Sequence, residues 1–379
     1  MTVPRSENRS LIFAGGGTGG HLLPGIAVAD QLVSRGDFLI TFIGSSRSVE
    51  QQVILSSGYH HRGLPSVSSR DLKRAPWRFF WNNGRAFLQA RQFLKSEKPA
   101  VVIGLGGFAS VPVILAASWL KIPIVLLEQN IVPGRANRFL FSRASLVCTS
   151  FAETQFPHPS SGLPRILFTG NPVRSSLIQS APRDSKHSEE TMILVLGGSQ
   201  GAQAVNRAIL SVLEHARSCL PRELHLVHQT GQADWEATKE VYHRLQQADP
   251  HLRVTVEPFF TDLKDWYSQA DLVISRAGAT TLSELACVGC PAVLIPYPNS
   301  IRDHQLINAR FYEQQGAAVL VEQAADTTRT ARKLQTTIEV LLSDKQKLKQ
   351  MSEAIRSLAR PRAASQVAEE IFELTCSDV

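Results

Sequence analysis

Short apolar runs alternate along the chain with amphipathic stretches of helix length, and glycine or proline usually stands between them. Such runs are typical of strands that are buried on both faces of a parallel sheet, with the helices covering them. The pattern therefore predicts an α/β protein. The predicted strands are 10–14, 39–43, 101–104, 124–128, 146–148 and 165–168 in the first half, and 192–196, 224–229, 253–256, 272–275, 292–295 and 318–320 in the second.

The two halves of the chain begin in the same way. Residues 11–13 lead into the glycines of 15–20, and residues 193–196 lead into the glycines of 197–202, each followed by a helical pattern. Strand, glycine turn and helix form the opening unit of a doubly wound domain. The pattern predicts two Rossmann-like doubly wound domains that face each other across a cleft. The main predicted helices are 24–35, 77–96, 204–217, 282–288 and 305–314.

The domain boundaries follow from the same pattern. We expect a first domain at residues 1–170 and a linker at 171–190, where a proline precedes a polar stretch. The second domain should cover 191–345. Residues 346–379 read as a helical tail that could pack back on the first domain. Ligands of doubly wound domains bind outside the carboxyl ends of the strands, where both glycine turns lie.

Length and composition agree with two globular domains. A chain of 379 residues exceeds one ordinary core, and 43% hydrophobic with 19% charged residues is a globular composition. Five cysteines offer no disulfide framework, which suits a reducing cytosol. Cys287 and Cys290 lack the partners of a metal site and read as buried thiols. The most apolar segment, 111–127, is interrupted by Lys121 and two prolines, so no membrane span is expected.

The positive charge is concentrated in one window. The formal net charge is +7, and residues 62–98 contain nine basic and two acidic residues, which accounts for all of it. Six aromatic residues lie in the same window. The combination indicates a surface that meets an anionic membrane. An amphipathic helix whose aromatics belong to the core is the alternative. Nucleic acid is not expected, because no binding motif accompanies the patch.

The first glycine turn also fits a nicotinamide enzyme. Its spacing satisfies the dinucleotide fingerprint, although the second strand ends without the acidic residue that NAD requires. Ser46 and Arg47 would instead suit the 2′-phosphate of NADP, which makes an NADP-dependent oxidoreductase the alternative enzyme. Two observations speak against it: the second glycine turn would have no role, and His21 would crowd a pyrophosphate.

Seven motifs extend from residue 15 to residue 309 and so cover most of the chain. They are GGGTGGHLLP at 15–24, GLGGFAS at 104–110, EQN at 128–130, GNPVR at 170–174, GGSQGA at 197–202, SRAGATTLSE at 275–284 and DHQLINA at 303–309. Taken together and in this order, these motifs resemble those of the MurG family.

The resemblance implies a GT-B glycosyltransferase. It would transfer GlcNAc from UDP-GlcNAc to the 4-hydroxyl of MurNAc in lipid I at the cytoplasmic face of the inner membrane, giving lipid II for peptidoglycan. Lipid I is greasy and anionic, which accounts for a basic aromatic docking surface at 62–98 on a protein without a membrane span. A membrane-surface sugar-nucleotide binding protein without catalysis is the non-enzymatic alternative.

Inverting transfer needs a base that takes the proton of the acceptor hydroxyl. His21 is the candidate, since histidine has an unperturbed pKa of about 6.5. Thr18, Gly19 and Gly20 match the family's turn nearest both substrates. One departure from the family is Phe108, which stands where a tyrosine is usual, so any hydrogen bond that the phenol would make is lost, while stacking or shape could remain.

The donor is expected on the second turn. Residues 197–201 can offer backbone N–H groups and a helix N-terminus to the diphosphate, and Ser199 adds a hydroxyl. This could replace a metal, so metal-independent chemistry and no cofactor are predicted. By resemblance, Glu284 binds the ribose hydroxyls and Phe260 binds uracil through its main chain. The remaining substrate-binding candidates are Gln305 and Asn308 near the GlcNAc hydroxyls, Asn130 and Arg174 on the donor side or in the cleft, and Ala279, Thr280, Thr281, Leu282 and Ser283.

Three of these residues have structural alternatives. Asn130 could belong to a turn and Asn308 to a helix cap. Arg174 could form a structural salt bridge, because it lies at the predicted linker.

Overall fold

The computed structural model describes residues 9–16, 19–46, 48–68, 75–156, 163–179, 190–198 and 201–376. The chain divides into two compact units. The first comprises Met1–Arg174 and Arg360–Val379, and the second comprises Ser175–Ala359. The predicted tail, 346–379, is therefore shared between the two units.

The described part of the first unit alternates strands and helices. In chain order these are β1 Arg9–Gly15, α1 Gly19–Val33, β2 Phe38–Ser45, α2 Ser48–Ser56, β3 His60–Leu64, α3 Pro76–Glu97, β4 Val101–Gly106, α4 Ser110–Trp119, β5 Ile124–Glu128, α5 Arg135–Leu140, β6 Leu146–Thr149 and β7 Arg165–Phe168.

The second unit repeats the alternation. Its elements are α6 Ser175–Ile178, β8 Thr191–Leu196, α7 Gln203–Ala216, β9 Leu224–Gln229, α8 Trp235–Ala248, β10 Leu252–Glu257, α9 Lys264–Gln269, β11 Leu272–Ser275, α10 Ala279–Val288, β12 Ala292–Leu294, α11 His304–Gln314, β13 Ala318–Leu320, α12 Thr327–Ser343 and α13 Lys345–Ser357. The last helix, α14 Ala363–Cys376, belongs to the first unit.

Both sheets are parallel and doubly wound, as predicted. Within the described residues, the strand order is β3-β2-β1-β4-β5-β6-β7 in the first sheet and β10-β9-β8-β11-β12-β13 in the second. In each sheet the first strand of the unit, β1 or β8, is central, and the order reverses beside it. That reversal is the switch point at which doubly wound folds bind ligands.

Alternate residues of the central strand β1 contribute to two hydrophobic cores, one on each face of the sheet. Leu11 and Phe13 pack on the side of α1 and α14, and Phe13 stacks on Phe42 with ring centroids 5.0 Å apart. Ile12 and Ala14 pack on the opposite side with α3 and α4. A strand buried on both faces has to be apolar throughout, which explains the unbroken apolar runs of the sequence.

The helix α14 completes the first of these cores. Val367, Ala368 and Ile371 are buried against it. Two ion pairs flank the contact, Arg35 with Glu369 at 2.8 Å and Arg165 with Glu370 at 2.7 Å. The apolar face, rather than the exposed ion pairs, stabilises this position.

Two local predictions differ from the structure. Strand β3 carries polar residues, HHRGL, and sits at the sheet edge, so it lacks the apolar run by which the others were found. Helix α1 begins at Gly19, five residues before the Pro24 that the sequence suggested as its start. A proline ring keeps a helical φ, and its main cost is the hydrogen bond to the carbonyl four residues earlier. None of the helices in the described part of the chain combines the length and apolar character that a membrane span requires.

Candidate functional site

Within the first unit, the glycine turn after β1 touches a second pair of glycines at the carboxyl end of β4. Gly106 ends β4 and Gly107 follows it, with φ of 90° and 75°, a region that favours glycine. A Cβ on Gly107 would collide with the carbonyl oxygen of Gly16, and a Cβ on Gly15 would lie 2.6 Å from the Cβ of Leu105. The glycines are therefore needed for this close approach of backbone to backbone.

His21 lies beside these turns, in the first turn of α1. Gly19 and Gly20 open the helix and are partly or fully exposed, whereas Thr18 lies outside the described residues. A Cβ on Gly106 would come within 3.3 Å of His21 Nδ1, so the missing side chain leaves room for the imidazole. His21 thus belongs to α1, which the sequence predicted to begin only at Pro24.

The side chain of Gln129 holds the imidazole of His21. Gln129 is buried at the end of β5, and its Oε1 lies 3.1 Å from His21 Nδ1. Its Nε2 donates to the carbonyl oxygens of Leu105 at 3.2 Å and Leu127 at 3.3 Å. The sequence singled out the EQN motif but gave Gln129 no role. The available signal was a polar run directly after an apolar strand that points to the switch point.

A buried carboxylate, Glu128, organises the loop that carries Asn130. Glu128 Oε1 accepts from the backbone N–H of Asn130 at 3.0 Å and from its side-chain amide at 3.3 Å. Oε2 accepts from the backbone of Gly134 and from the amide of Asn137, both at 2.9 Å. Thr154 donates its hydroxyl to the Asn130 carbonyl at 3.2 Å. Asn130 is therefore half-buried and firmly oriented by Glu128, another residue to which the sequence assigned no role.

Two further candidates of the first unit are Phe108 and Arg174. Phe108 follows the second glycine of the β4 turn and is half-buried. Arg174 is half-buried as well, and its Nε is buried without a hydrogen-bond partner among the described residues. None of the ion pairs found in the described ranges involves Arg174, so the salt-bridge alternative has no support there.

The described glycines of the second unit's turn also lie where a side chain would be unfavourable. Gly198 and Gly201 have φ of 77° and 76°, and a Cβ on Gly201 would lie 2.5 Å from the carbonyl oxygen of Thr230. Helix α7 follows the turn, with Ala202 as its N-cap. Alanine has no polar atom with which to cap the first N–H groups, so they suit an anion. Ser199 lies outside the described residues.

A buried polar chain lies under this turn. Asn206 donates its amide to the Thr230 carbonyl at 3.0 Å and to Asp234 at 2.8 Å. Its Oδ1 must then accept from Nε2 of His228 at 3.0 Å, and Nδ1 of His228 accepts the hydroxyl of Tyr242 at 2.6 Å. Burial lowers the pKa of His228 to about 3, so the ring is neutral. This chain of hydrogen bonds fixes the Thr230 carbonyl, which is the group that approaches Gly201.

Helix α10 carries most of the remaining donor candidates. Ala279, Thr280, Leu282 and Glu284 are buried, and Thr281 and Ser283 are half-buried. Glu284 accepts the hydroxyl of Tyr267 at 3.0 Å, an interaction that orients the carboxylate. The N-cap of the helix is Gly278, which again offers no capping side chain.

Gln305 and Asn308 lie on α11, but their side chains form hydrogen bonds with different segments. Gln305 Oε1 accepts the backbone N–H of Tyr297 at 2.9 Å. Asn308 has no exposed surface, and its amide donates to the carbonyl of Ala277 at 3.4 Å, in the loop before α10. Asn308 therefore braces that loop from within the core and is not a helix cap.

The backbone N–H of Phe260 already has a hydrogen-bond partner within the protein. It donates to Oε1 of the buried Gln229 at 3.0 Å, and the phenyl ring leans on Trp266 with centroids 5.8 Å apart. The main-chain group that the resemblance assigns to uracil is thus positioned by Gln229, which the sequence did not single out.

Residues 76–97 of the basic aromatic window form helix α3, whereas Arg70, Lys73 and Arg74 lie outside the described residues. Its buried face consists of Ala86, Ala90 and Leu94. The opposite face exposes large apolar side chains: Trp77 at 67%, Phe80 at 67%, Trp81 at 65% and Leu88 at 61%. We call these four residues the α3 face. The alternative that placed the aromatics in the core is wrong for Trp77, Phe80 and Trp81, because about two thirds of each side chain is exposed.

The described residues contain no cluster of three or more histidine, cysteine, aspartate or glutamate side chains that could hold a metal ion.

Two family descriptions match the chain, one on each unit. Residues 11–149 match the glycosyltransferase family 28 N-terminal domain, and residues 192–367 match its C-terminal domain. Together with the two parallel doubly wound sheets, these matches define a glycosyltransferase of GT-B architecture.

The relatives narrow the class further. A protein of Geobacter metallireducens is 37% identical over 371 residues, covering 96% of this chain and 98% of that protein. One of Halothermothrix orenii is 34% identical over 360 residues, covering 93% and 95%. Both are named UDP-N-acetylglucosamine–N-acetylmuramyl-(pentapeptide) pyrophosphoryl-undecaprenol N-acetylglucosamine transferase. The crystal structure of Acinetobacter baumannii MurG is 31% identical, with a TM-score of 0.72 over 96% of this chain and 99% of that one. The chain belongs to the MurG family.

The fold alone would not have been sufficient to assign the chain to this family. A putative UDP-N-acetylglucosamine 2-epimerase from Listeria monocytogenes has a TM-score of 0.65 over 98% of both chains, at 14% identity. At that identity the likeness concerns the fold only, and it shows that different chemistries use this architecture.

Proposed function

We propose that the protein transfers GlcNAc from UDP-GlcNAc to the 4-hydroxyl of MurNAc in lipid I, forming lipid II for peptidoglycan, with inversion at the sugar C1. The observation that carries this function is membership of the MurG family over nearly the whole chain, at 34–37% identity. The relatives described above do not favour the NADP-dependent oxidoreductase.

His21 is proposed as the general base. In its neutral form, the ring takes the proton of the MurNAc hydroxyl while that oxygen bonds to C1 of GlcNAc and the bond from C1 to the diphosphate breaks. UDP leaves with the bonding electrons. Thr18, Gly19 and Gly20 would contact the substrates beside His21. The exposed start of α1 supports this role, because it leaves the neighbouring backbone accessible.

The second unit is proposed to bind the donor. The backbone N–H groups of residues 197–201 and the start of α7 would hold the diphosphate as its charge grows, with the Ser199 hydroxyl as an additional donor. Such backbone donors would allow transfer without a metal or cofactor. The uncapped N-terminus of α7 supports this assignment.

The sugar and nucleoside contacts are proposed along α10 and α11. Glu284 would accept the ribose hydroxyls, a function that its two oxygens and the Tyr267 hydroxyl bond suit. Gln305 would contact the GlcNAc hydroxyls, and residues 279–283 would line the same position. The buried Asn308 would contribute by bracing Ala277, and Phe260 would offer its main chain to uracil. Asn130 and Arg174 remain candidates for substrate contact.

We propose that the α3 face docks the protein peripherally on the cytoplasmic side of the inner membrane, where lipid I would be met. Trp77, Trp81 and Leu88 are spaced four and seven residues apart, which puts them on one side of the helix. Arg78 and Arg85 are exposed beside them. Exposed aromatics bordered by basic residues are typical of a surface that binds anionic lipid.

The function is tested with the full chain, UDP-GlcNAc labelled in the sugar, and a lipid I analogue. The label is expected to move to the lipid diphosphate, with UDP released in equal amount. A protein that binds UDP-GlcNAc but never transfers the label would be the non-catalytic binding protein instead. Oxidation of NADPH by the protein, without release of UDP, would support the oxidoreductase and contradict the proposal.

A further inference from the structure

The orientation of the Gln129 amide is fixed by its own hydrogen bonds. An amide nitrogen only donates, and Gln129 Nε2 has the carbonyl oxygens of Leu105 and Leu127 within 3.2 Å and 3.3 Å. The amide oxygen must therefore be the atom that faces His21 Nδ1, at 3.1 Å. An amide oxygen only accepts, so the hydrogen of this bond belongs to Nδ1 of the imidazole.

The tautomer of His21 follows from this geometry. A neutral imidazole carries one hydrogen, and with that hydrogen on Nδ1, Nε2 keeps the lone pair. Gln129 is only 3% exposed, so water does not compete for the bond to Nδ1. The two carbonyl acceptors belong to β4 and β5, which makes the amide part of the rigid sheet edge rather than of a loop.

We propose that Gln129 is the positioning residue that holds the His21 ring in its Nδ1–H tautomer and thereby makes Nε2 the proton-accepting atom. The inference rests on the proposed role of His21 as base, and it identifies the atom that acts. Gln129 itself touches no substrate in this scheme. A ring in the other tautomer would present an N–H on Nε2 and could not take a proton from the acceptor hydroxyl through that atom.

The tautomer is measured directly on the full chain by side-chain ¹H–¹⁵N correlation spectra of histidine, assigned with His21→Ala. The wild-type ring is expected to show a protonated Nδ1 and an unprotonated Nε2. In Gln129→Leu, the signal should move to the Nε2–H form or to a mixture. In Gln129→Glu, the protonated acid can donate to one of the two carbonyl oxygens and still accept from Nδ1 through its other oxygen, so the Nδ1–H form should persist. A wild-type ring with its hydrogen on Nε2 would overturn the proposal.

A matched control separates the tautomer from general loosening of the sheet edge. Asn137 also donates to the Leu127 carbonyl, at 2.9 Å. Asn137→Leu removes a buried amide from the same carbonyl but leaves Gln129 in place, so the His21 tautomer is expected to remain Nδ1–H. The same tautomer change in Asn137→Leu and Gln129→Leu would contradict a specific role for Gln129.

Kinetics provide the second readout. Gln129→Leu is expected to lower kcat by about 10- to 100-fold, within the contribution of a general base, with KM for UDP-GlcNAc unchanged. In a His21→Ala background the same substitution should cost nothing further, because Gln129 acts through His21. Equal losses in both backgrounds would show a separate, structural role. Should Gln129→Leu not fold, Gln129→Met and Gln129→Glu undergo the same comparison. An absence of transfer by the wild type would contradict the proposed function but leave the tautomer measurement valid.

Discussion

Tyr242 donates its hydroxyl hydrogen to Nδ1 of His228 across 2.6 Å in the core of the second unit. His228 in turn donates from Nε2 to Asn206, which holds the Thr230 carbonyl next to the glycine turn. One ring nitrogen therefore donates and the other accepts, which is the pattern of a neutral imidazole. A proton added to His228 would face the hydroxyl oxygen of Tyr242 with no water to solvate the charge.

This relationship predicts a loss of stability in acid. Burial lowers the folded-state pKa of His228 to about 3, whereas the unfolded chain has a histidine pKa near 6.5. The stabilisation is complete above the unfolded pKa and is lost as pH falls toward the folded pKa. Between about pH 6 and pH 4, the wild type should lose about 1.4 kcal/mol of unfolding free energy per pH unit more than His228→Gln, which cannot titrate.

The measurement is urea unfolding of the two proteins between pH 7 and pH 4, followed through a signal of the second unit. His243→Gln, which alters an exposed histidine of α8, is the control and should retain the wild-type slope. Parallel curves for wild type and His228→Gln would show that His228 is protonated in the folded state and would contradict the neutral assignment.

Two glycines of the second glycine turn, residues 197–202, allow backbone strain to be compared with steric collision. Gly198 and Gly201 both have a φ near 77°, but a Cβ on Gly198 would have no described atom within 4 Å, whereas one on Gly201 would meet the Thr230 carbonyl. Gly198→Ala should cost about 1–2 kcal/mol from the left-handed backbone alone. Gly201→Ala should cost more and should weaken UDP binding, because the turn has to move. Thermal unfolding and UDP titration check both variants, and equal effects would mean that the collision is relieved without cost.

The sequence predicted the parallel sheets well because their strands are buried on both faces. Ile12 and Phe13 point to opposite cores, so the run is apolar at every position and is visible without an alignment. Strand β3 was missed for the opposite reason: at the sheet edge, HHRGL needs little burial to pair with β2. The start of α1 was misplaced because a proline is a weak marker of a helix start when a helix can accommodate it internally.

Candidate residues could be predicted where the residue type itself indicates the chemistry. They could not be predicted where a residue acts through another one. His21 and the two glycine turns could be singled out from their composition and spacing. The roles of Gln129, Gln229 and Asn206 could not, because position after or within an apolar strand marks a buried amide at most as a candidate and does not show which group it contacts. Only the fold brings Gln129 within 3.1 Å of a ring 108 positions away. The burial of Asn308 likewise depends on how α11 packs on the loop before α10.

Replacement of His21 tests the proposed base. His21→Ala should reduce the transfer rate by about 10²- to 10⁴-fold, the usual contribution of a general base, while UDP-GlcNAc still binds. The reason is that the donor contacts are proposed on the second unit. Label transfer to a lipid I analogue and calorimetric binding of UDP-GlcNAc give the two values. Turnover near the wild-type level would remove His21 as the base, and loss of binding would give it a donor role.

The α3 face predicts binding to anionic vesicles through charge and through aromatic burial. Arg78→Glu with Arg85→Glu should lower sedimentation with phosphatidylglycerol vesicles by at least about tenfold, because each basic residue near such a surface contributes about 1 kcal/mol. Lys345→Glu with Lys349→Glu on α13 makes the same change in net charge at exposed positions elsewhere and should leave binding unaltered. Trp77→Ser with Trp81→Ser should weaken the part of the binding that persists at high salt, since apolar burial is not screened. Equal losses in the α3 and α13 charge variants would indicate attraction by net charge, and unchanged sedimentation in all three would mean that the exposed aromatics of α3 do not meet a membrane.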